Sequence, residues 1–138
     1  MTNNPTAGNP TSAHLEARPQ TIGPHYSPAV KHGGLVYISG QLPVGPNGAH
    51  DPSISFASQV RQVLENLLAV MQANGAEGAD HLLKVTAYIV GGAYWAEFNQ
   101  IYAEILGDAR PARTVVPVAE LHFGYLVEVD AVARTSSS

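Results

Sequence analysis

The sequence predicts an α+β fold, a mixed β-sheet with two helices packed on one face. Three observations predict it. Apolar residues recur at steps of three and four in two stretches, and a glycine follows each. Four short runs of β-branched, aromatic and aliphatic residues surround those stretches. The chain has 138 residues, 45% of them hydrophobic, which suits a single core.

The elements follow in order. Residues 35–40 (LVYISG) come after Gly33-Gly34 and read as a strand. The pattern leaves room for a further strand or hairpin before residue 42. Residues 43–48 (PVGPNG) are turn chemistry, since Asn47-Gly48 favours positive φ. Phe56, Val60, Val63, Leu64, Leu67, Val70 and Met71 share one helical face, with Ser55 as N-cap and Gly75 as stop. Residues 82–90 (LLKVTAYIV) read as a strand that Gly91-Gly92 breaks. Trp95, Phe98, Ile101, Tyr102 and Ile105 mark a second helix ended by Gly107. Residues 114–119 and 126–133 read as the last two strands.

Side chains alternate across a strand. In 126–133 one face carries Val127, Val129, Ala131 and Ala133, and the other Leu126, Glu128, Asp130 and Val132. Leu35, Tyr37 and Ser39 oppose Val36, Ile38 and Gly40 in the same way. Both faces are largely apolar, and two helices cover only one. A second copy of the chain is the simplest cover for the other, so a homo-oligomer with sheets facing inward is expected.

Residues 1–20 are rich in Thr, Asn, Pro, Ala and Gly and read as a flexible arm. Residues 21–134 form one domain without a repeat or linker, and 135–138 read as an unstructured tail. Lys plus Arg number 7 and Asp plus Glu 11, a net charge of −4. That balance argues against binding nucleic acid through phosphate neutralisation. Charged residues make up only 13%, which fits a surface partly covered by another chain. No apolar run reaches the roughly 18–20 residues of a membrane helix, and the N-terminus has no secretory apolar region. The cytoplasm is the expected location. With no cysteine there is no disulfide, thiolate metal site or cysteine nucleophile. The six histidines show no metal-ligand spacing, so no metal is expected, and no phosphate or dinucleotide loop is present.

Few residues carry chemistry. Arg113, just ahead of the strand from Thr114, can hold a carboxylate through two parallel hydrogen bonds. From spacing alone, a surface residue paired with an acidic neighbour is the commoner reading. Glu128 interrupts an apolar strand, and burying its charge alone is costly. It either meets a cation such as Arg113 on an adjacent strand, works as an acid–base group with a raised pKa, or faces solvent. Asp130, on the same face, supports an interface or a strand end. Ser39 and Gly40 close a strand where a ligand can approach the backbone, or where a bulge sits. Ser39 lacks the surroundings of a hydrolase nucleophile.

Six stretches together carry a family resemblance. They are Gly23-Pro24-His25-Tyr26-Ser27, Val36-Tyr37-Ile38-Ser39-Gly40-Gln41, Gln62-Val63-Leu64-Glu65-Asn66-Leu67, Phe98-Asn99-Gln100-Ile101-Tyr102, Pro111-Ala112-Arg113-Thr114 and Val127-Glu128-Val129-Asp130-Ala131. In order and spacing, from about residue 22 to residue 133, the chain resembles the RidA family, also called YjgF or L-PSP. The resemblance implies a chorismate-mutase-like fold and a homotrimer with ligand clefts between subunits. It implies cofactor-free hydrolysis of reactive 2-enamine and 2-imine acids, such as 2-iminobutanoate and 2-iminopropanoate, to 2-keto acids and ammonia. By the same resemblance Arg113 grips the substrate carboxylate and Glu128 positions or activates water. Tyr26 lines the cleft, Ser39 and Gly40 lie beside the substrate, and Asn99 is a polar residue near the site.

Three features depart from the family pattern. His25 sits between Pro24 and Tyr26, a loop Glu120-Leu121-His122-Phe123-Gly124-Tyr125 replaces a basic, proline-containing one, and the N-terminal arm is long. These place the chain in a divergent subgroup, where Phe123 and Tyr125 reshape the cleft or an interface. Three other activities remain open. They are a non-catalytic sensor of small carboxylates, a ribonuclease or translation inhibitor, and a deaminase of aminomuconate-type acids. The −4 charge argues against the ribonuclease.

Overall fold

The computed structural model describes the backbone of Thr11–Ser12 and residues 24–136. Apart from that pair, the arm expected over 1–20 lies outside the described residues, as do residues 137 and 138 of the expected tail. The elements are β1 (Thr11–Ser12), β2 (Ala29–His32), β3 (Leu35–Gln41), α1 (Phe56–Ala73), β4 (Leu82–Val90), α2 (Trp95–Leu106), β5 (Ala112–Val118) and β6 (Val127–Arg134). Single 3₁₀ turns at Ala79–His81 and His122–Gly124 complete the chain. β2 is the further strand for which the sequence left room, joined to β3 as a hairpin through Gly33-Gly34.

The sheet order is β1-β2-β3-β6-β4-β5. Every pairing is antiparallel except β4 with β5, which is parallel because α2 carries the chain back across the sheet. β6, last in sequence, lies between β3 and β4. This corrects the expectation that Arg113 and Glu128 occupy adjacent strands, since β4 separates β5 from β6. β5 also starts earlier than the composition suggests. Arg113 is its second residue, paired with Val85, and does not precede the strand.

α1 starts where the Ser55 hydroxyl accepts the Ser58 N–H at 3.1 Å. Its buried side is Phe56, Gln59, Val60, Val63, Leu64, Leu67 and Met71. Those side chains meet the sheet face made by Val36, Ile38, Val85, Ala87, Ile89, Val127, Val129 and Ala131 in one core. Each large apolar side chain buried there contributes roughly 1.5–3 kcal/mol relative to exposure. α2 buries Phe98, Ile101, Tyr102 and Leu106 and ends at Gly107, whose φ of 62° suits a residue without Cβ.

Along β6 buried and half-buried residues alternate strictly, Val127, Val129, Ala131 and Ala133 facing the helices. On the other face Glu128, Asp130 and Val132 stay half-buried and Tyr37 is exposed, with no helix over them. Two residues of the expected tail are tied down. Thr135 donates its N–H to the Gly34 carbonyl and Ser136 to that of Gly75.

Candidate functional site

Directly paired residues in a sheet point the same way. Arg113 is paired with Val85, a residue of the helix-covered face, and so points toward α2. Its guanidinium carbon lies 5.0 Å from the Tyr102 ring centre and 5.8 Å from that of Phe98. Cation–π attraction of this kind holds the fork without using its N–H groups. Arg113 forms no ion pair with a described residue; the contacts of that kind found there are Arg61–Glu104 and a 3.3 Å hydrogen bond between His81 and Asp80. It borders a cavity of about 280 Å³ that Asn99 and Arg110 also line. Arg113 and Asn99, singled out in the sequence, are thus brought together.

Glu128 is paired with Tyr88 and points to the opposite, helix-free face. Its carboxyl abuts Gly40 so closely that a Cβ there would collide with Oε2. The β3–β6 register shifts between Ile38 and Gln41, which bends the strand at Ser39 and Gly40 beside that carboxyl. Ser39 donates its hydroxyl to the Ser27 carbonyl at 2.6 Å and its N–H to that of Pro28 at 3.0 Å. These bonds fasten the segment carrying Tyr26, which is 57% exposed, to the Glu128 end of β3. Ser39, Gly40 and Glu128 therefore form a second cluster, with Tyr26 on the tethered segment beside it.

Burial pushes the Glu128 carboxyl above the ordinary carboxylate range. Asp130 pushes in the same direction, and His122 opposes both. The Tyr88 hydroxyl donates to Asp130 at 2.9 Å, and that bond holds the phenol above its usual range. Of the open alternatives for Glu128, the geometry removes a pair with Arg113 of the same chain, and the carboxyl is half-buried on the helix-free face.

The sequence reading passed over four residues at these clusters. Tyr102, assigned to a helix face, packs under Arg113, and its buried hydroxyl has no partner among the described residues. Arg110 shares the Arg113 cavity. Tyr88 and His122 face Glu128 and its neighbour. The i, i+3 spacing of Asn99 and Tyr102 was the available signal for the first, and the Arg-Pro-Ala-Arg string for the second.

The replaced loop is well built. Phe123, at φ 64° and 58% exposed, stacks on His50 with ring centres 3.7 Å apart. His50 Nδ1 lies 3.1 Å from the buried Tyr125 hydroxyl, which accepts the Asp51 N–H at the same distance. His25 is exposed.

The strand order, the two helices on one face and the kinked β3 define an α+β protein of the chorismate-mutase-like class. The chain belongs to the RidA/L-PSP family: the model described as Endoribonuclease L-PSP matches residues 15–135. It is similar to a RutC family protein of Pyrococcus horikoshii, 39% identical over 118 residues, 86% of this chain and 92% of that one. Among solved structures it is similar to the Rid family protein YyfA of Yersinia pestis. That likeness has a TM-score of 0.78 and 34% identity, over 91% of this chain and 98% of that one. E. coli TdcF with bound serine gives a TM-score of 0.76 and 30% identity, over 93% and 98%. No helix among the described residues is long and apolar enough to cross a membrane.

Proposed function

We propose that the chain is a cofactor-independent hydrolytic deaminase of 2-enamine and 2-imine acids, working as a cytoplasmic homotrimer. The observation that carries this is the pair of complementary half-sites. Arg113 and Asn99 border one cavity, with a guanidinium that no described carboxylate neutralises. Glu128 lies against the Gly40 backbone on the other face, with a raised pKa. The two belong to one site only if adjoining protomers supply them, and the uncovered sheet face offers the surface for that contact. The serine bound to TdcF, a small acid on a related fold, agrees with a carboxylate ligand.

A 2-imino acid is electrophilic at C2. Arg113 would grip its carboxylate and fix the orientation, which replaces an encounter by a positioned attack. Water adds to C2 as Glu128 takes its proton. That proton passes to the imine nitrogen, giving a carbinolamine. The carboxylate then takes the carbinolamine O–H proton and delivers it to nitrogen as C=O forms and the C–N bond breaks, leaving the keto acid and ammonia. A carboxyl raised toward neutrality suits both steps, and such help is typically worth about 10²–10⁴-fold. Tyr26, Ser39 and Asn99 would line the cleft.

The test is decay of 2-iminopropanoate, made in place by an amino-acid oxidase, against a semicarbazide trap. The native protein suppresses semicarbazone formation, and Arg113→Ala abolishes the suppression. Normal turnover by that variant refutes the role. Binding of pyruvate without any turnover would identify a carboxylate sensor instead. Ribonuclease activity, the function in the family model's description, draws no support from a net charge of −4.

A further inference from the structure

Arg113 does not stand alone in its cavity. Arg110 lines the same space of about 280 Å³, and the other lining residues, Tyr102 and Asn99 among them, include no carboxylate. Among the described residues neither guanidinium forms an ion pair. This is notable in a chain with 11 acidic and 7 basic residues, where acidic partners are in excess. Pro111, between them, fixes its own φ and stiffens the backbone just ahead of β5. Two like charges beside one cavity repel until an anion enters, and each guanidinium offers the planar fork that suits a carboxylate.

We infer that this cavity takes an acid with two carboxylates, a 2-imino dicarboxylate. Arg113 holds the carboxylate next to the imine carbon and Arg110 the distal one. The inference rests on the deaminase reading above and narrows its substrate class. Arg110 is then a specificity residue, remote from the bond that breaks.

The experiment compares imines made in place by amino-acid oxidases from aspartate or glutamate with those from alanine or 2-aminobutyrate. For the native protein, kcat/KM is higher for the dicarboxylates by about tenfold, the low end for one charge-assisted contact. Arg110→Gln lowers the ratio of dicarboxylate to monocarboxylate kcat/KM by about the same factor. Arg113→Ala lowers both rates and leaves no preference to read. A native ratio near one, or a ratio unchanged in Arg110→Gln, overturns the inference while leaving the deaminase reading in place. If neither class of imine is hydrolysed, the deaminase reading falls. Calorimetric titration with 2-oxoglutarate and 2-oxobutanoate then decides the dicarboxylate site. About tenfold tighter binding of the former, lost in Arg110→Gln, supports it, and equal affinities overturn it.

Discussion

Arg113 and Glu128 leave one sheet on opposite faces, with β4 between their strands. Arg113 is level with Val85, which pairs with Ala131, three residues along β6 from Glu128. Two strand spacings and three residues put their backbones on the order of 14 Å apart. A shared site must therefore combine chains, and subunit mixing tests this. Arg113→Ala and Glu128→Gln chains, each inactive alone, are unfolded together and refolded as mixed oligomers. A between-chain site recovers about a quarter of native activity, since half the chains supply each intact group. A within-chain site recovers none. Light scattering is expected to give three times the 14.5 kDa chain mass.

The raised pKa of Glu128 has a stability consequence. The folded protein holds this proton more tightly than the unfolded chain, whose carboxyl titrates near its ordinary 4.5. Stability from this group is fully present below that value and is lost as pH rises through the folded pKa. Glu128→Gln is neutral at every pH. Its Tm is expected to gain on the native protein between acid and neutral pH, and a pH-independent difference would contradict the linkage.

Gly40 leaves room for the Glu128 carboxyl. Gly40→Ala drives a Cβ into Oε2, the end of a flexible side chain that can swing aside. The stability cost is expected to stay at or below about 1 kcal/mol, the low end of overpacking. Imine hydrolysis falls far more, because the carboxyl moves. Denaturation and kinetics on one preparation separate the two effects.

The Tyr102 hydroxyl is buried with no hydrogen-bond partner among the described residues. Tyr102→Phe removes an unsatisfied group and keeps the ring beneath Arg113. A gain of about 1 kcal/mol in urea unfolding is expected. A loss of that size would show that the hydroxyl has a partner in the assembled protein.

Gln59 is the opposite case. It is fully buried, donates to the Pro52 and Ile54 carbonyls at 3.2 Å each, and accepts the Leu126 N–H at 2.8 Å. It ties α1 to the loop before it and to the start of β6. Gln59→Leu keeps the volume but strands three backbone groups, so a loss on the order of 3 kcal/mol is expected in chemical denaturation.

Local pattern carried much of the architecture. The three- and four-residue steps from Phe56 to Met71 and from Phe98 to Tyr102 revealed both helices. Alternation from Val127 to Ala133 gave the face that packs on them. These signals are legible because helix and strand periods act over neighbouring residues. The family stretches pointed to Arg113, Asn99, Glu128, Ser39 and Gly40. Alternation assigns a face but not a neighbour, so nothing local showed that β6 inserts between β3 and β4. That insertion, a long-range choice made by burying Val127, Val129 and Ala131 at the centre of the sheet, separates Arg113 from Glu128. Folding also brought Arg110 and Arg113 to one cavity with Asn99 and Tyr102 of α2, and Tyr88 and His122 near the Glu128 cluster, because cavities and charge environments arise only when distant segments pack.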